Sequence, residues 1–456
     1  MKRMFSAKGL GLALLCLIVA VIPALQSCQK DKAANVTDLL STVPSSSGTV
    51  IGINLHSLLE KAGCKVEGSV ITPGKELEKW ISAQKEINDT EREAINMLLS
   101  GESGIDPVGA IYFTDAYNSY ITAVLADTGK FTAFVEKQNG KPFEDAESNV
   151  KVNGNVAVSG AQMWVCTSTS GSIDAKAVKN YADLQENQSF LTTPNADAIG
   201  NLTHDVVGYS QLRGASKGLT IRDMATLNLL SGLLFDNASA SSFHLDFLNG
   251  EIKAYALPLN DKGETAKYLL PADKIDVEKV KGLAQDANLV AAISIKKDLV
   301  KKLEKMGESL GGNMLAPFTK ALSSFDGTTA VAVGNLDNPD KSVSGIVTTD
   351  GNPSLDLMQL LSQFGGTQKN GNDVKVVQGT VNGELEVAKC ADFLKGSTFG
   401  VVINANSAGL TGDQLGIKSI GFSLSPENGG VALNARAVTS DSGENALLTI
   451  LKATAE

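Results

Sequence analysis

The stretch "SFHLDFLNGEIKAYALPLNDKGETAKYLL", residues 242–270, returns in altered form as "SIGFSLSPENGGVALNARAVTSDSGENALLTIL", residues 419–451. Each reads as an alternating strand, an Asn-Gly turn (Asn249-Gly250 and Asn428-Gly429), a return strand and a closing helix. Asn-Gly between alternating apolar residues is a strong hairpin signal, because both residues tolerate the positive φ that a type I′ turn demands. Working outward, three more pairs share a grammar. Residues 50–63 and 290–307 read as a strand running into a helix closed by glycine. Residues 104–137 and 324–361 read as strand, loop, strand and helix, with Asp127 and Asp350 in the same turn. Residues 205–219 and 399–410 read as a buried strand entering a polar turn. Echoes that recur in the same order predict an internal duplication. Asn153-Gly154 and Asn382-Gly383 predict one more hairpin in each half.

The predicted fold class is therefore α+β, with two related halves at residues 43–275 and 284–456. Each is expected to be a largely antiparallel sheet with helices on one face. Residues 72–101 place Leu77, Trp80, Ile81, Ile87, Ala94, Ile95, Leu98 and Leu99 at helical spacing, which predicts one long helix or a helical hairpin inserted in the first half. Residues 28–42 are expected to form a flexible tether.

The N-terminus supplies an address. Lys2, Arg3 and Lys8 precede an apolar run from Leu10 to Leu25, which is short for a membrane span and reads as a signal peptide over residues 1–27. Leu25, Gln26, Ser27 and Cys28 resemble the lipobox of bacterial lipoproteins, and that resemblance makes Cys28 the lipid attachment site. Each buried methylene contributes about 0.8 kcal/mol, so two or three acyl chains anchor firmly where one does not. Gln29 stands where an aspartate would resemble an inner-membrane retention signal, so the outer membrane is expected. The run Gln29, Lys30, Asp31, Lys32 is similar to the short charged tag of surface lipoproteins of Bacteroidetes, with one acid in place of an acidic run. Cell-surface display is the expectation and a periplasm-facing anchor the alternative. Together with "VPSSSGTVIGINLHSLLEKAG" (residues 43–63), this arrangement resembles an uncharacterised lipoprotein family of Bacteroidetes, the domain of unknown function numbered 4836. The resemblance implies an anchored envelope protein and brings no catalytic residues with it.

Composition narrows the chemistry. The formal charge is -10, and loss of Lys2, Arg3 and Lys8 with the signal makes it more negative still. After the signal only Arg92, Arg213, Arg222 and Arg436 remain to make phosphate forks, so no nucleic-acid partner is expected. Cys64, Cys166 and Cys390 lie far apart without a C-x-x-C pair; buried free thiols are expected, with one Cys64–Cys166 or Cys166–Cys390 bridge as the alternative. "GESLG" (307–311) matches a nucleophile elbow in form, but a lysine-rich stretch precedes Ser309 and His56, His204 and His244 all come before it. Those histidines lie outside ligand spacing of one another, so neither a metal nor another cofactor is expected. No P-loop is present, since each Gly-Lys pair is followed by Glu, Phe or Pro. Asp115, Asp127 and Asp350 fall in turns, where aspartate commonly bonds its own backbone. Trp80 and Trp164 read as core, while Tyr112, Tyr117 and Tyr120 flank one loop as a candidate sugar platform. The expected function is non-enzymatic: an outer-membrane lipoprotein held to the membrane by Cys28, acting as a binding or structural module toward an envelope partner or extracellular ligand. The alternatives are a surface hydrolase and a glycan-capture accessory.

Overall fold

The computed structural model describes residues 36–84, 89–167, 173–211, 235–269, 273–297, 323–410 and 412–455. The signal peptide, Cys28 and Ser309 lie outside the described residues. Eighteen strands join in one sheet, and every pairing is antiparallel. In chain order they begin with β1 (Thr49–Ile53), β2 (Ile105–Thr114), β3 (Ser119–Leu125), β4 (Glu144–Glu147) and β5 (Val150–Asn153). Then come β6 (Val156–Ser159), β7 (Gln162–Cys166), β8 (Val206–Gln211), β9 (Ala240–Leu248) and β10 (Glu251–Leu259). The second part holds β11 (Leu289–Ile295), β12 (Phe325–Val333), β13 (Val343–Thr349) and β14 (Gly366–Asn370). It closes with β15 (Asp373–Gln378), β16 (Phe399–Asn404), β17 (Ile417–Glu427) and β18 (Gly430–Thr439). Their order across the sheet is β4-β5-β6-β7-β3-β2-β1-β8-β9-β10-β18-β17-β16-β11-β12-β13-β15-β14. The seam is β10 against β18, from Glu251 opposite Val438 to Ala256 opposite Leu433.

Helices cover both faces of this sheet, not the one face expected. On β2, Ile111 and Phe113 enter a core with Trp164 and the helices Val36–Leu40, Ala175–Ala182 and Ala196–Gly200. Ala110, with Ile121 and Ala123 of β3, faces the opposite way, against the helices Asp89–Leu99 and Thr128–Asn139. The second part repeats this. Val290, Ala292, Ala330 and Val402 pack under the helices Val277–Lys281 and Val387–Leu394, while Ile295, Phe325 and Val347 meet Leu357 of Leu355–Ser362 on the other side. The sign was in the sequence: "YITAVL" is a nearly unbroken apolar run, the pattern of a strand buried on both faces.

Residues 36–43 also correct the expected spacer. Val36, Leu39, Leu40 and Val43 recur at i, i+3, i+4 and i+7, and all four are buried. The Thr37 hydroxyl donates to the Gly200 carbonyl at 3.2 Å and ties this short helix to Ala196–Gly200. The helical insertion takes the form of two helices, Lys75–Ala83 and Asp89–Leu99, with Leu77, Trp80, Ala94 and Ile95 buried as their spacing predicts. The closing helix Ala446–Thr454 crosses to the first part, where Leu447, Ile450 and Leu451 pack on Phe247 of β9 and on Leu77 and Trp80.

The Asn-Gly turns divide. At Asn428 (φ 48°) and Gly429 (φ 81°) both residues are left-handed, as a type I′ turn requires. At the β9–β10 turn only Gly250 (φ 73°) is. That turn is clamped from outside: the Gly250 N–H donates to the Glu444 carbonyl at 2.8 Å, and Thr439 N–H donates to the Gly250 carbonyl at 2.9 Å. Asn153-Gly154 does open the β5–β6 hairpin, with Asn153 opposite Val156. Asn382-Gly383 forms no hairpin; the turn of that region is Gly371-Asn372 between β14 and β15. Gly383 lies so close to the Ala287 carbonyl that a Cβ would meet its oxygen at 2.2 Å, which explains the glycine by packing.

Candidate functional site

The four strands at the seam carry two different faces. On β9 and β10, Leu245, Phe247 and Ile252 turn toward the closing helix. The alternate residues His244 and Asp246 of β9 and Glu251, Lys253 and Tyr255 of β10 turn the other way. Register extends this polar face across the seam, where Tyr255 lies opposite Asn434, Lys253 opposite Arg436, and Asn434 opposite Ser423. Val207, directly opposite His244, belongs to the core beneath the helices Val36–Leu40 and Ala196–Gly200. On the far side Phe393, from Val387–Leu394, covers Gly421. The polar face, together with Phe393, lines a cavity of about 470 Å³. A second cavity of about 350 Å³ adjoins it and shares Phe393 and Arg436.

Charge in the larger cavity is paired across the seam. Glu251 accepts from Lys253 Nζ at 2.7 Å and from Arg436 Nε. Burial pushes the Glu251 carboxyl up, but the Lys253 hydrogen bond and the Arg436 charge outweigh it, so the carboxyl sits below its usual range. This carboxylate is an ionised anchor joining the two parts of the sheet. It is the reverse of a proton-donating acid.

Beside it stands a stacked column. The imidazoles of His204 and His244 lie 3.7 Å apart and 5° from parallel, and the Tyr255 ring stacks on His244 at 4.8 Å. His204 Nδ1 is 2.7 Å from Asp246 Oδ2. Burial, then the neighbouring His204, lowers the His244 pKa against the opposing charge of Asp246, which favours the neutral ring. Burial and a hydrogen bond to Glu427 push the Tyr255 phenol up. The column rests on a buried ion pair. Asp205, 1% exposed, takes Lys61 Nζ at 2.6 Å on both oxygens, the Ser57 hydroxyl at 2.6 Å and the Phe247 N–H at 2.7 Å. Its own N–H donates to Asp246 Oδ1 at 3.3 Å.

His204, His244 and Asp246 thus converge, with one ligand atom from each lying within 4.8 Å of the others. The reading of histidines by sequence spacing missed this. His244-x-Asp246 on a strand puts both side chains on one face, and β8–β9 pairing brings in His204 across forty residues. His56 stays apart, on the exposed side of Leu55–Lys61, where Nε2 lies 3.4 Å from Glu60.

The remaining candidates resolve individually. Asp115 accepts from the Tyr117 and Asn118 N–H groups at 2.7 and 2.6 Å, Asp127 caps its helix at Lys130 N–H, and Asp350 accepts from Asn352 N–H. These are turn and cap roles, as expected. Trp80 and Trp164 are buried at 3% and 0% exposure, also as expected. The tyrosine platform is corrected: Tyr117 is 85% exposed, but Tyr120 is fully buried and stacked on Phe113, and Tyr112 packs against the core beside Ile121. Alternation within β2 and β3 sends these rings to different places. Cys64, Cys166 and Cys390 are buried free thiols, and burial pushes Cys390 up to about 11. Among the described residues no helix is long and apolar enough to cross a membrane.

The chain matches no family model and no curated protein. Among solved structures it is similar to crystal form III of TP0453, at TM-score 0.27 and 9% identity, over 77% of this chain and 96% of that one. Form I gives TM-score 0.28 and 9% identity over 80% and 97%, and form IV gives 0.28 and 10% over 48% and 79%.

Proposed function

We propose that this is a lipid-anchored outer-membrane protein, displayed at the cell surface through Cys28, that works as a non-enzymatic binding module. Its body is an internally duplicated α+β unit with the ligand-facing surface on the seam. The observation that carries the binding role is the polar cavity floored by β9, β10, β17 and β18, to which both parts of the chain contribute. Such a cavity presents a few convergent polar groups on a rigid scaffold. Its central carboxylate is engaged with Lys253 and Arg436 in holding the strands together, which speaks against the hydrolase alternative. The glycan-capture alternative loses its basis with the tyrosine platform.

Strand order supports the duplication. Outward from the seam, one side runs β10, β9, β8, β1, β2, β3, β7, β6, and the other runs β18, β17, β16, β11, β12, β13, β15, β14. At the first six positions the paired strands are those whose sequences echo one another. The helix Val36–Leu40 precedes β1 and contacts Ala196–Gly200 as Val277–Lys281 precedes β11 and contacts Val387–Leu394. On this reading the first repeat begins near residue 36.

Protease shaving of intact cells, alongside metabolic labelling with a fatty acid, tests the anchor. Wild type is expected to take up label and be cleaved from outside, and Cys28→Ala to fold without label. A wild-type chain that resists external protease removes surface display, and one that takes no label removes the anchor.

A further inference from the structure

We infer that His204, His244 and Asp246 form a binding site for a divalent transition-metal ion, with Zn²⁺ the ion whose chemistry fits best. Two imidazoles and one carboxylate are borderline nitrogen and oxygen donors, the set that Zn²⁺ takes with three protein ligands and a fourth position left to water. Proximity is already built, since one donor atom from each side chain lies within 4.8 Å of the others. In a tetrahedral site with bonds of about 2.0–2.1 Å the donors stand about 3.3 Å apart. Side-chain rotation covers that difference, because His244 and Asp246 are alternate residues of one rigid strand and His204 stands beside the neighbouring strand.

Three features prepare the site. Asp246 is oriented from behind by the Asp205 N–H, and Asp205 is itself fixed by Lys61, Ser57 and the Phe247 N–H. Outer partners of this kind hold metal ligands in place. His244 is packed between the His204 and Tyr255 rings, which keeps the two imidazoles side by side, within a ring rotation of a shared ion. The site is also reachable: the His204 side chain is 32% exposed and that of Asp246 21%.

The test is isothermal titration of the chelator-stripped full chain in detergent with ZnCl₂ alone, with thermal unfolding as a second readout. One Zn²⁺ per chain is expected, with a rise in unfolding temperature that EDTA reverses. His244→Phe keeps a ring stacked on Tyr255, and Asp246→Asn keeps the shape of the carboxylate. Both are expected to fold without metal like wild type and to weaken Zn²⁺ binding by about tenfold or more, since loss of an outer-shell partner alone costs 10–100-fold. If His244→Phe fails to fold, Asp246→Asn alone decides. Absence of stoichiometric uptake by wild type, unchanged affinity in the folded variants, or loss of binding on His56→Ala would each overturn the assignment.

Discussion

The hairpins β9–β10 and β17–β18 hold matching places on either side of the seam and turn on the same dipeptide, yet they differ in chemistry and conformation. Across one row of the sheet the residues read His244, Tyr255, Asn434, Ser423. In this row the first hairpin contributes rings and the second small hydrogen-bonding groups, while two positions along, the second hairpin supplies the Arg436 charge that meets Glu251. At the tips, Asn428-Gly429 adopts the turn its sequence prefers, with one outside bond from Tyr268 N–H to the Gly429 carbonyl at 3.2 Å, whereas Asn249-Gly250 is held by residues 439–445. One frame thus carries two surfaces. Local sequence sets the hairpin, and tertiary contacts set what each hairpin is used for.

The comparison is broken hardest at the ion pairs beneath the two parts. Lys61→Met leaves the buried Asp205 carboxylate without its cation and is expected to cost about 3–5 kcal/mol in urea unfolding. In the second part Lys279 meets Asp373 at 2.6 Å with both side chains about a quarter exposed, so Lys279→Met should cost about 1 kcal/mol or less. Equal losses would show that the two supports are equivalent after all.

The two glycines sharpen the difference on a smaller scale. Gly429→Ala meets open space and carries only the left-handed penalty, about 1–2 kcal/mol. Gly250→Ala adds a Cβ that would meet the Ser442 Cα at 2.7 Å, so a further 1–3 kcal/mol or so is expected by chemical denaturation. A Gly250→Ala variant no worse than Gly429→Ala would mean that the clamp yields.

A small effect tests the seam itself. Because the folded Glu251 carboxyl lies below its unfolded value, its contribution is present at neutral pH and is lost as pH falls through the folded value. Glu251→Gln is expected to cost roughly 1 kcal/mol at pH 7. The deficit should shrink as unfolding is followed into the acid range, and a pH-independent deficit would remove the ionised anchor.

Much of the fold was legible because repeats and periodicity are local signals. The strand-helix grammar located β1, β2, β3, β8, β9 and β10 and their echoes, and the spacing of Leu77, Trp80, Ala94 and Ile95 located the inserted helices. What misled was also local. Val36, Leu39, Leu40 and Val43 make a helical stripe too short to stand out, and its stability comes from packing on Ala196–Gly200. Asn382-Gly383 imitates a hairpin, but its glycine answers to the Ala287 carbonyl, a contact across almost a hundred residues.

The sequence by itself determined the β9–β10 and β17–β18 hairpins, the inserted helices, and the burial of the tryptophans and thiols. Those follow from periodicity, turn chemistry and residue polarity, which act over a few neighbours. Only the tertiary structure decided that β10 meets β18 and that His204 stands beside His244 and Asp246. Register between distant strands chooses which side chains meet, and register is the summed result of packing over the whole sheet.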